Sequence, residues 1–417
     1  MIMLASLVSC EKVNTSSDDL TQSNSDMPVE GNPEAKSAFS PIAMSESQKK
    51  MGVSINSFAL DMLAGTIKEN PDEDLVFSPI SLSVDLSMCA AGAKGETADQ
   101  MKGLLGFSDI SNEDVNEYFR VLTEGLVKVD SLSSFTSANS LWVSESIPLK
   151  DAYVNTVSEA YRAKVSNVDF SSPSAAISIN EWCKENTAGK IAGMLPEAPA
   201  NISVALLNAN LFNGIWGHKF DENLTTGPFH GRKGDVQSEF MTASDNEYGY
   251  YRLNSCRLLS LPYGKGGFSF LIAYPYEGTS ADAVIKELNN PDNLQIMTMV
   301  SGLTRKIKVS VPKFKIESTV DNIRNSLESL GMKNPFSKDA DFSGMTDIPM
   351  KIDEILQKCC LEVNEKGTEA AAVTQIIMVT SLPDQSTTED EFIVDSPFLF
   401  FILEEGSGTI LYAGQKI

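Results

Sequence analysis

Between Gly367 and Met378 the side chains fall into a two-residue rhythm. One face carries Thr368, Ala370, Ala372, Thr374, Ile376 and Met378, small first and then apolar, while Glu369 and Gln375 fall on the other. Val373, Thr374, Ile376, Ile377, Val379 and Thr380 supply a β-branched run, which favours extended backbone. The pattern predicts a strand whose inner face could slide into the middle of a sheet, where large or charged side chains would be stopped. Gly367 stands at its start, where a hinge needs free backbone dihedrals. Ala370 to Ala372 are also good helix formers, so a surface helix with an alanine run is the competing reading of this segment taken alone. Beyond it, Ser381–Glu391 (SLPDQSTTEDE) is polar and Pro-punctuated and reads as a loop.

Elsewhere, short helical and strand patterns alternate irregularly, without an internal repeat. No Pro/Gly/Ser-rich linker divides residues 46–417. Gly406-Ser407-Gly408 reads as a tight turn between two apolar strands, and Cys359-Cys360 as part of another strand. A chain of 417 residues has room for two or three average domains, although large single-core folds also occur. Residues 11–45 are rich in Ser, Asn, Asp, Glu and Pro, a composition that cannot bury a core and reads as a disordered tether. No stretch is long enough for a transmembrane helix.

Charge narrows the partners. With 33 Lys and Arg against 56 Asp and Glu, the formal net charge is −23. No basic patch offsets it, which argues against nucleic-acid binding. The acidity serves solubility, or steers basic partners to the surface.

Catalytic chemistry is poorly provided for. The histidines are His218, just after Trp216-Gly217 in a turn-like run, and His230, in a polar hairpin. Neither lies near a Ser or Cys nucleophile motif, and both read as surface residues. No GxSxG elbow, HExxH helix or phosphate-cradling Gly loop occurs. The six cysteines, Cys10, Cys89, Cys183, Cys256, Cys359 and Cys360, show no CxxC pair and no regular spacing. They indicate neither a zinc site nor a disulfide scaffold, and most are expected to be small buried hydrophobes. Cys359 and Cys360 point to opposite faces of a strand and are poor partners for each other. No metal or cofactor is implied.

Motifs spread along the chain then supply a resemblance. Phe392–Ile402 (FIVDSPFLFFI) resembles the C-terminal signature of the serpins, and Glu365–Thr374 resembles their hinge. Phe77-Ser78-Pro79-Ile80-Ser81, Met88 and Gly92–Thr97 resemble the family's second helix. Asn139, Leu141-Trp142, Ile179–Trp182, Asn208, Phe212–Trp216, Leu261–Tyr263, Val311–Phe314 and Leu330–Met332 follow in family order. The resemblance runs from about residue 46 to Ile417.

It implies an α+β serpin fold as a single domain over residues 46–417. About three β-sheets would be surrounded by eight or nine helices, with an exposed reactive-centre loop at about 365–391. The chain would then be no enzyme but a suicide-substrate inhibitor of serine proteases, a monomer, with papain-like cysteine proteases as further targets. A protease would cleave the loop and form its acyl-enzyme, and the freed loop would insert into the central sheet. The hinge would be Glu365, Gly367, Thr368, Glu369, Ala370, Ala371 and Ala372, whose small side chains keep insertion fast. The polar cluster gating the sheet would be Ser78, Ser81, Asn208 and Gln357, with Gln standing where the family usually has His. Trp216, Gly367 and Lys313 would lie where the loop first enters.

The family places the scissile bond about seventeen residues beyond the hinge glutamate, which lands on Ser381-Leu382, or on Thr380-Ser381 for a shift of one. Lys and Arg are absent from Gly367 to Gly414, so elastase-like or subtilisin-like targets are expected ahead of trypsin-like ones. The alternative is a non-inhibitory serpin acting as a surface binding module. At the other end, Met1–Ser9 is apolar and Leu7-Val8-Ser9-Cys10 resembles a bacterial lipoprotein processing site. That implies a signal segment over residues 1–10, lipid on Cys10, and a secreted protein held at the bacterial envelope or cell surface.

Overall fold

The computed structural model describes residues 2–7, 39–186, 202–221, 225–244, 246–320, 323–368 and 390–417. Nine α-helices occur among them. The first, Glu46–Glu69, opens with a capping box in which Ser45 accepts from the Gln48 N–H and the Gln48 side chain accepts from the Ser45 N–H. It buries Ile55, Phe58, Ala59, Met62, Leu63 and Ile67, at the three- and four-residue spacing of one helical face. The second, Pro79–Ala91, starts from Ser78 as N-cap with Pro at its first position, and Pro79 to Ala90 are all buried. A helix buried all round belongs in the core, and this one runs under the main sheet even with Ser81, Ser83, Asp85 and Ser87 among its buried residues.

That sheet has seven strands. Its backbone is the strand Val204–Ile215, paired on one side with Ser133–Ser144, which in turn pairs with Lys164–Val168. On the other side, beyond an opening one strand wide, lies Ile352–Asn364, backed by Phe314–Val320. The run VALLNANLF is mostly apolar on both faces because both are covered, with Asn208 and Asn210 the buried polar exceptions. Leu206 and Phe212 belong to the main core with the second helix, while Ala205, Leu207 and Ala209 pack with Trp142, Ile179, Trp182 and Cys183. Ile179, Trp182 and Cys183 come from the helix Pro173–Asn186. Burial on two sides replaces alternation with a continuous hydrophobic run.

The other strands form one ten-stranded network, not two separate sheets. The join is the strand Thr304–Pro312. Its start pairs with Glu247–Arg252 and its end with Gly234–Ala243, so two lobes share one ladder. Phe398–Glu404 and Ile410–Lys416 pair across the expected turn at Gly406–Gly408.

Two features depart from the sequence expectations. Ile2–Leu7, within the stretch that resembles a processing segment, is a strand of the main sheet. Cys360 is disulfide-bonded, whereas Cys89, Cys183, Cys256 and Cys359 are free and buried as expected. Cys10 lies outside the described residues, as does most of the expected loop.

Candidate functional site

The opening between Val204–Ile215 and Ile352–Asn364 is the centre of interest. These two strands run parallel, and a short strand, Gly367–Thr368, enters between them at one end. Gly367 lies opposite Asn364 and Ile215, and Thr368 opposite Val363 and Gly214. Gly367 has φ +147°, and a Cβ there would stand 2.0 Å from the Gly214 carbonyl oxygen. No side chain fits, so glycine is required by both space and dihedral.

Thr368 is fully buried, and its hydroxyl bonds the Tyr263 hydroxyl. Burial pushes the Tyr263 phenol up, with the Thr368 hydrogen bond opposing, so it stays neutral. Trp216 stacks on Tyr263 with ring centroids 4.5 Å apart, and its Nε1 donates to the Asn364 carbonyl at 2.7 Å. Outside this aromatic clamp, Lys313 Nζ lies 3.0 Å from Glu365 and 3.2 Å from Glu239. Burial alone would raise the Glu365 carboxyl, but its own backbone N–H and Lys313 outweigh it and hold it below its ordinary value. Glu365, Gly367, Thr368, Trp216 and Lys313, expected together from the sequence, do converge.

A second cluster lies deeper, beneath the middle of the sheet. Gln357 clasps the backbone of Ser78: Oε1 accepts from the Ser78 N–H at 2.8 Å, and Nε2 donates to the Ser78 carbonyl at 2.9 Å. The Ser78 hydroxyl donates to the Leu411 carbonyl at 2.8 Å and accepts from the Ser81 hydroxyl at 2.8 Å. One amide therefore ties the sheet strand to the N-cap of the central helix and, through that cap, to the strand Ile410–Lys416. Gln supplies donor and acceptor at once and carries no titratable proton.

Asn208 does not join this cluster. It donates across the strand pair to Asn139, which donates to the Tyr161 carbonyl at 2.7 Å. The residue that bonds Ser78 and Ser81 is Asn210. Sequence reasoning passed over Asn210, although its two-residue offset from Asn208 puts both on one face of the strand. Both asparagines keep a buried Oδ1 without a hydrogen-bond partner. Glu369, Ala370, Ala371, Ala372, Thr380, Ser381 and Leu382 lie outside the described residues.

The histidines take no part. His218 is half-buried against Tyr248, and burial holds its ring below the usual value. His230 is exposed and bonded to Asp235 at 2.9 Å, which raises it. No group of three or more His, Cys, Asp or Glu side chains suited to a metal occurs among the described residues.

Comparison with known proteins matches this architecture to one family over nearly its whole length. The family described as Serpin (serine protease inhibitor) covers residues 53–417. The chain belongs to the serpins. Among its relatives, Iripin-5 of Ixodes ricinus is 35% identical over 379 residues, 88% of this chain and 94% of that protein. The leukocyte elastase inhibitor of Sus scrofa is 31% identical, over 86% of this chain and 96% of that protein. Among solved structures, the thermophilic serpin tengpin in its native state superposes with a TM-score of 0.77 at 28% identity, covering 90% of this chain and 95% of that one. Serpin membership accounts for the main sheet apart from Ile2–Leu7, the buried second helix and the position of Gly367–Thr368.

The clasp on Ser78 makes a prediction about pH. Gln357→Leu leaves the buried Ser78 N–H without its acceptor, a loss of about 1–3 kcal/mol. It should lower the melting midpoint by a few degrees, equally at pH 6 and pH 8. Gln357→His should behave differently. A buried imidazole has its pKa depressed below its unfolded value of about 6.5, so its contribution is present above that pH and lost as pH falls. Melting curves across pH 5.5–8 check both, and a pH-independent His variant would contradict the assignment.

Proposed function

We propose that this serpin is a suicide-substrate inhibitor of serine endopeptidases, acting by insertion of its cleaved loop into the seven-stranded sheet. One observation carries the reading. The chain beyond Ile352–Asn364 turns back at Gly367 and already stands, at Thr368, as the first rung of a strand inside the opening. Continuing that antiparallel register sets Ala370 beside Leu361 and Phe212, Ala372 beside Cys359 and Asn210, and Thr374 beside Gln357 and Asn208. The small residues pass the narrow part of the slot. A hydroxyl then arrives where the Asn208 and Asn210 Oδ1 atoms lack donors, and beyond it Ile376 meets Ile355 and Leu206.

The chemistry is a race. The protease attacks the loop and forms an ester with its own serine, and insertion must carry that ester away before water hydrolyses it. About sixteen inserted residues span roughly 50 Å, enough to move the enzyme to the far pole. The uncharged residues around Thr380, Ser381 and Leu382 suit shallow pockets such as those of elastase-like enzymes and the broad groove of subtilisin-like ones. A relative named for inhibiting leukocyte elastase supports that choice. Trypsin-like enzymes need a Lys or Arg before the scissile bond, and none occurs from Gly367 to Gly414.

Incubation with an elastase-like protease should give a complex stable in SDS and release a peptide beginning at Ser381 or Leu382. Fast trapping of trypsin, or cleavage without any complex, would contradict the proposal. Thr368→Arg places a charge in the fully buried first rung, at a cost on the order of several kcal/mol when unpaired. That variant should be cleaved at the same bond but turn over as a substrate, with little complex on the gel. Undiminished complex would show that Thr368 does not travel on the inserting face.

A further inference from the structure

Two arginines stand apart from the rest of the charge pattern. Arg120, Arg162 and Arg324 each pair with a glutamate, at 2.6, 3.2 and 2.7 Å. Arg257 meets no carboxylate and makes no hydrogen bond among the described residues. Its guanidinium instead lies over two rings, 4.6 Å from the centre of Phe392 and 5.1 Å from that of Tyr274. Asp395, which also touches Tyr274, accepts from its hydroxyl at 2.8 Å and forms no ion pair with Arg257. Arg232 donates to the Pro71 carbonyl at 2.5 Å and likewise meets no carboxylate among the described residues. In a chain with 56 acidic residues against 33 basic ones, arginines without an acid are the ones that need an explanation.

Both arginines line one cleft of about 500 Å³. It lies where three strand ends meet: the end of Phe268–Pro275, the start of Phe398–Glu404 and the end of Ile410–Lys416. These are the ends opposite the turn Gly406–Gly408, and the helix Ala281–Leu288 begins beside them. Tyr274, Tyr276, Pro397 and Phe398 give the cleft apolar wall. Lys416 also lines it but is already paired with Asp74 at 2.9 Å, and Glu277, the acidic side chain of the lining, is exposed. An arginine stacked by its faces keeps its N–H edge for an acceptor, and its fork matches two oxygens of one anion. A volume of this size suits a small molecule with an apolar body. We infer that the cleft binds a small organic acid, an apolar or aromatic body carrying one carboxylate or sulfonate. The anion lies on the N–H edge of Arg257, with Arg232 adding a second positive charge to the lining, and the body lies against Tyr274, Tyr276 and Phe398. A polyanion is a poor match, because the chain carries −23 overall and the lining holds two such arginines, not a basic tract.

The position gives the site a role. Ser396, Pro397 and Phe398 line it, and the strand Asp390–Ile393 just before them brings the chain back from the expected loop. Phe392 of that strand is one of the rings under Arg257. A bound acid braces this return leg against the strand Phe268–Pro275 and stabilises the folded chain by mass action. Binding does not depend on whether the chain traps a protease.

The probe is anilinonaphthalene sulfonate, an aromatic body with one sulfonate, titrated into the full chain and followed by its fluorescence. One dye per chain should bind saturably. Its dissociation constant should rise at least about tenfold in Arg257→Gln, which removes a charge-assisted pair of bonds. Arg257→Lys should fall between, since it keeps the charge without the fork. Ala281→Trp, at the first residue of the helix, should abolish binding by filling the cleft. The uncharged phenylnaphthylamine, the same body without the sulfonate, should bind at least about tenfold more weakly. Saturating dye should raise the melting midpoint of the unaltered chain and leave that of Ala281→Trp unmoved. Arg257→Gln also gives up its ring stack, so if it fails to fold, Ala281→Trp and the uncharged dye decide. Equal binding in Ala281→Trp places the dye elsewhere and overturns the site. Equal affinity for the uncharged dye overturns the choice of an organic acid, and the absence of saturable binding overturns both.

Discussion

Everything distinctive in this molecule depends on two parallel strands, Val204–Ile215 and Ile352–Asn364, being held one strand apart. A central sheet with a vacant rung leaves N–H and C=O groups on both walls without ladder partners, in a place where water is scarce. Any extended segment of suitable side chains is drawn in. The hinge answers from one end and Ile2–Leu7 from the other. One packed layer beneath, which includes the second helix, takes in side chains of both walls, while the helix Pro173–Asn186 packs on the Val204–Ile215 side alone. Both segments take up the same position in the sheet.

The polar cluster under the slot adds direction to that tendency. Ser78, Ser81, Asn210 and Gln357 are buried in a layer otherwise built from Ile, Leu and Phe. Their hydrogen bonds bind sheet, helix cap and C-terminal strand into one unit. The two spare asparagine oxygens are the exception, and a buried acceptor without a donor is costly. Gln in place of His keeps the cluster free of a titrating group, so pH does not enter the gate through this residue.

Much of this was legible in the residues, and the limits have physical causes. The period of two from Thr368 onward marked a strand with a small inner face, and Thr368 does lie buried in the sheet. Glycine at 367 reads as a hinge that needs free dihedrals, and in the structure its φ of +147° and the nearby Gly214 carbonyl leave no room for a Cβ. Asn210 shares the strand parity of Asn208, but the family pattern points to 208 alone. The Tyr263–Thr368 contact joins residues 105 apart, and the Lys313 clamp depends on neighbouring strands in register, which no local pattern reveals. Ile2–Leu7 was the least legible element. A short apolar run looks alike whether it is a processing segment or a strand, and what decides is a vacancy between walls far away in sequence. Spacing likewise gave no hint of the disulfide at Cys360.

The central claim is that the native fold lies above a more stable one that the loop reaches on cleavage. An inserted loop adds a ladder of backbone hydrogen bonds, each contributing about 1 kcal/mol net, on top of newly buried side chains. Ten such bonds rival the whole stability of an ordinary domain, roughly 5–15 kcal/mol. The direct measurement is the melting midpoint of the protein before and after a single cut between Thr380 and Leu382. The account predicts a rise of tens of degrees on cleavage, well beyond the few degrees of an ordinary substitution. Identical melting curves for the intact and cut chains would contradict it.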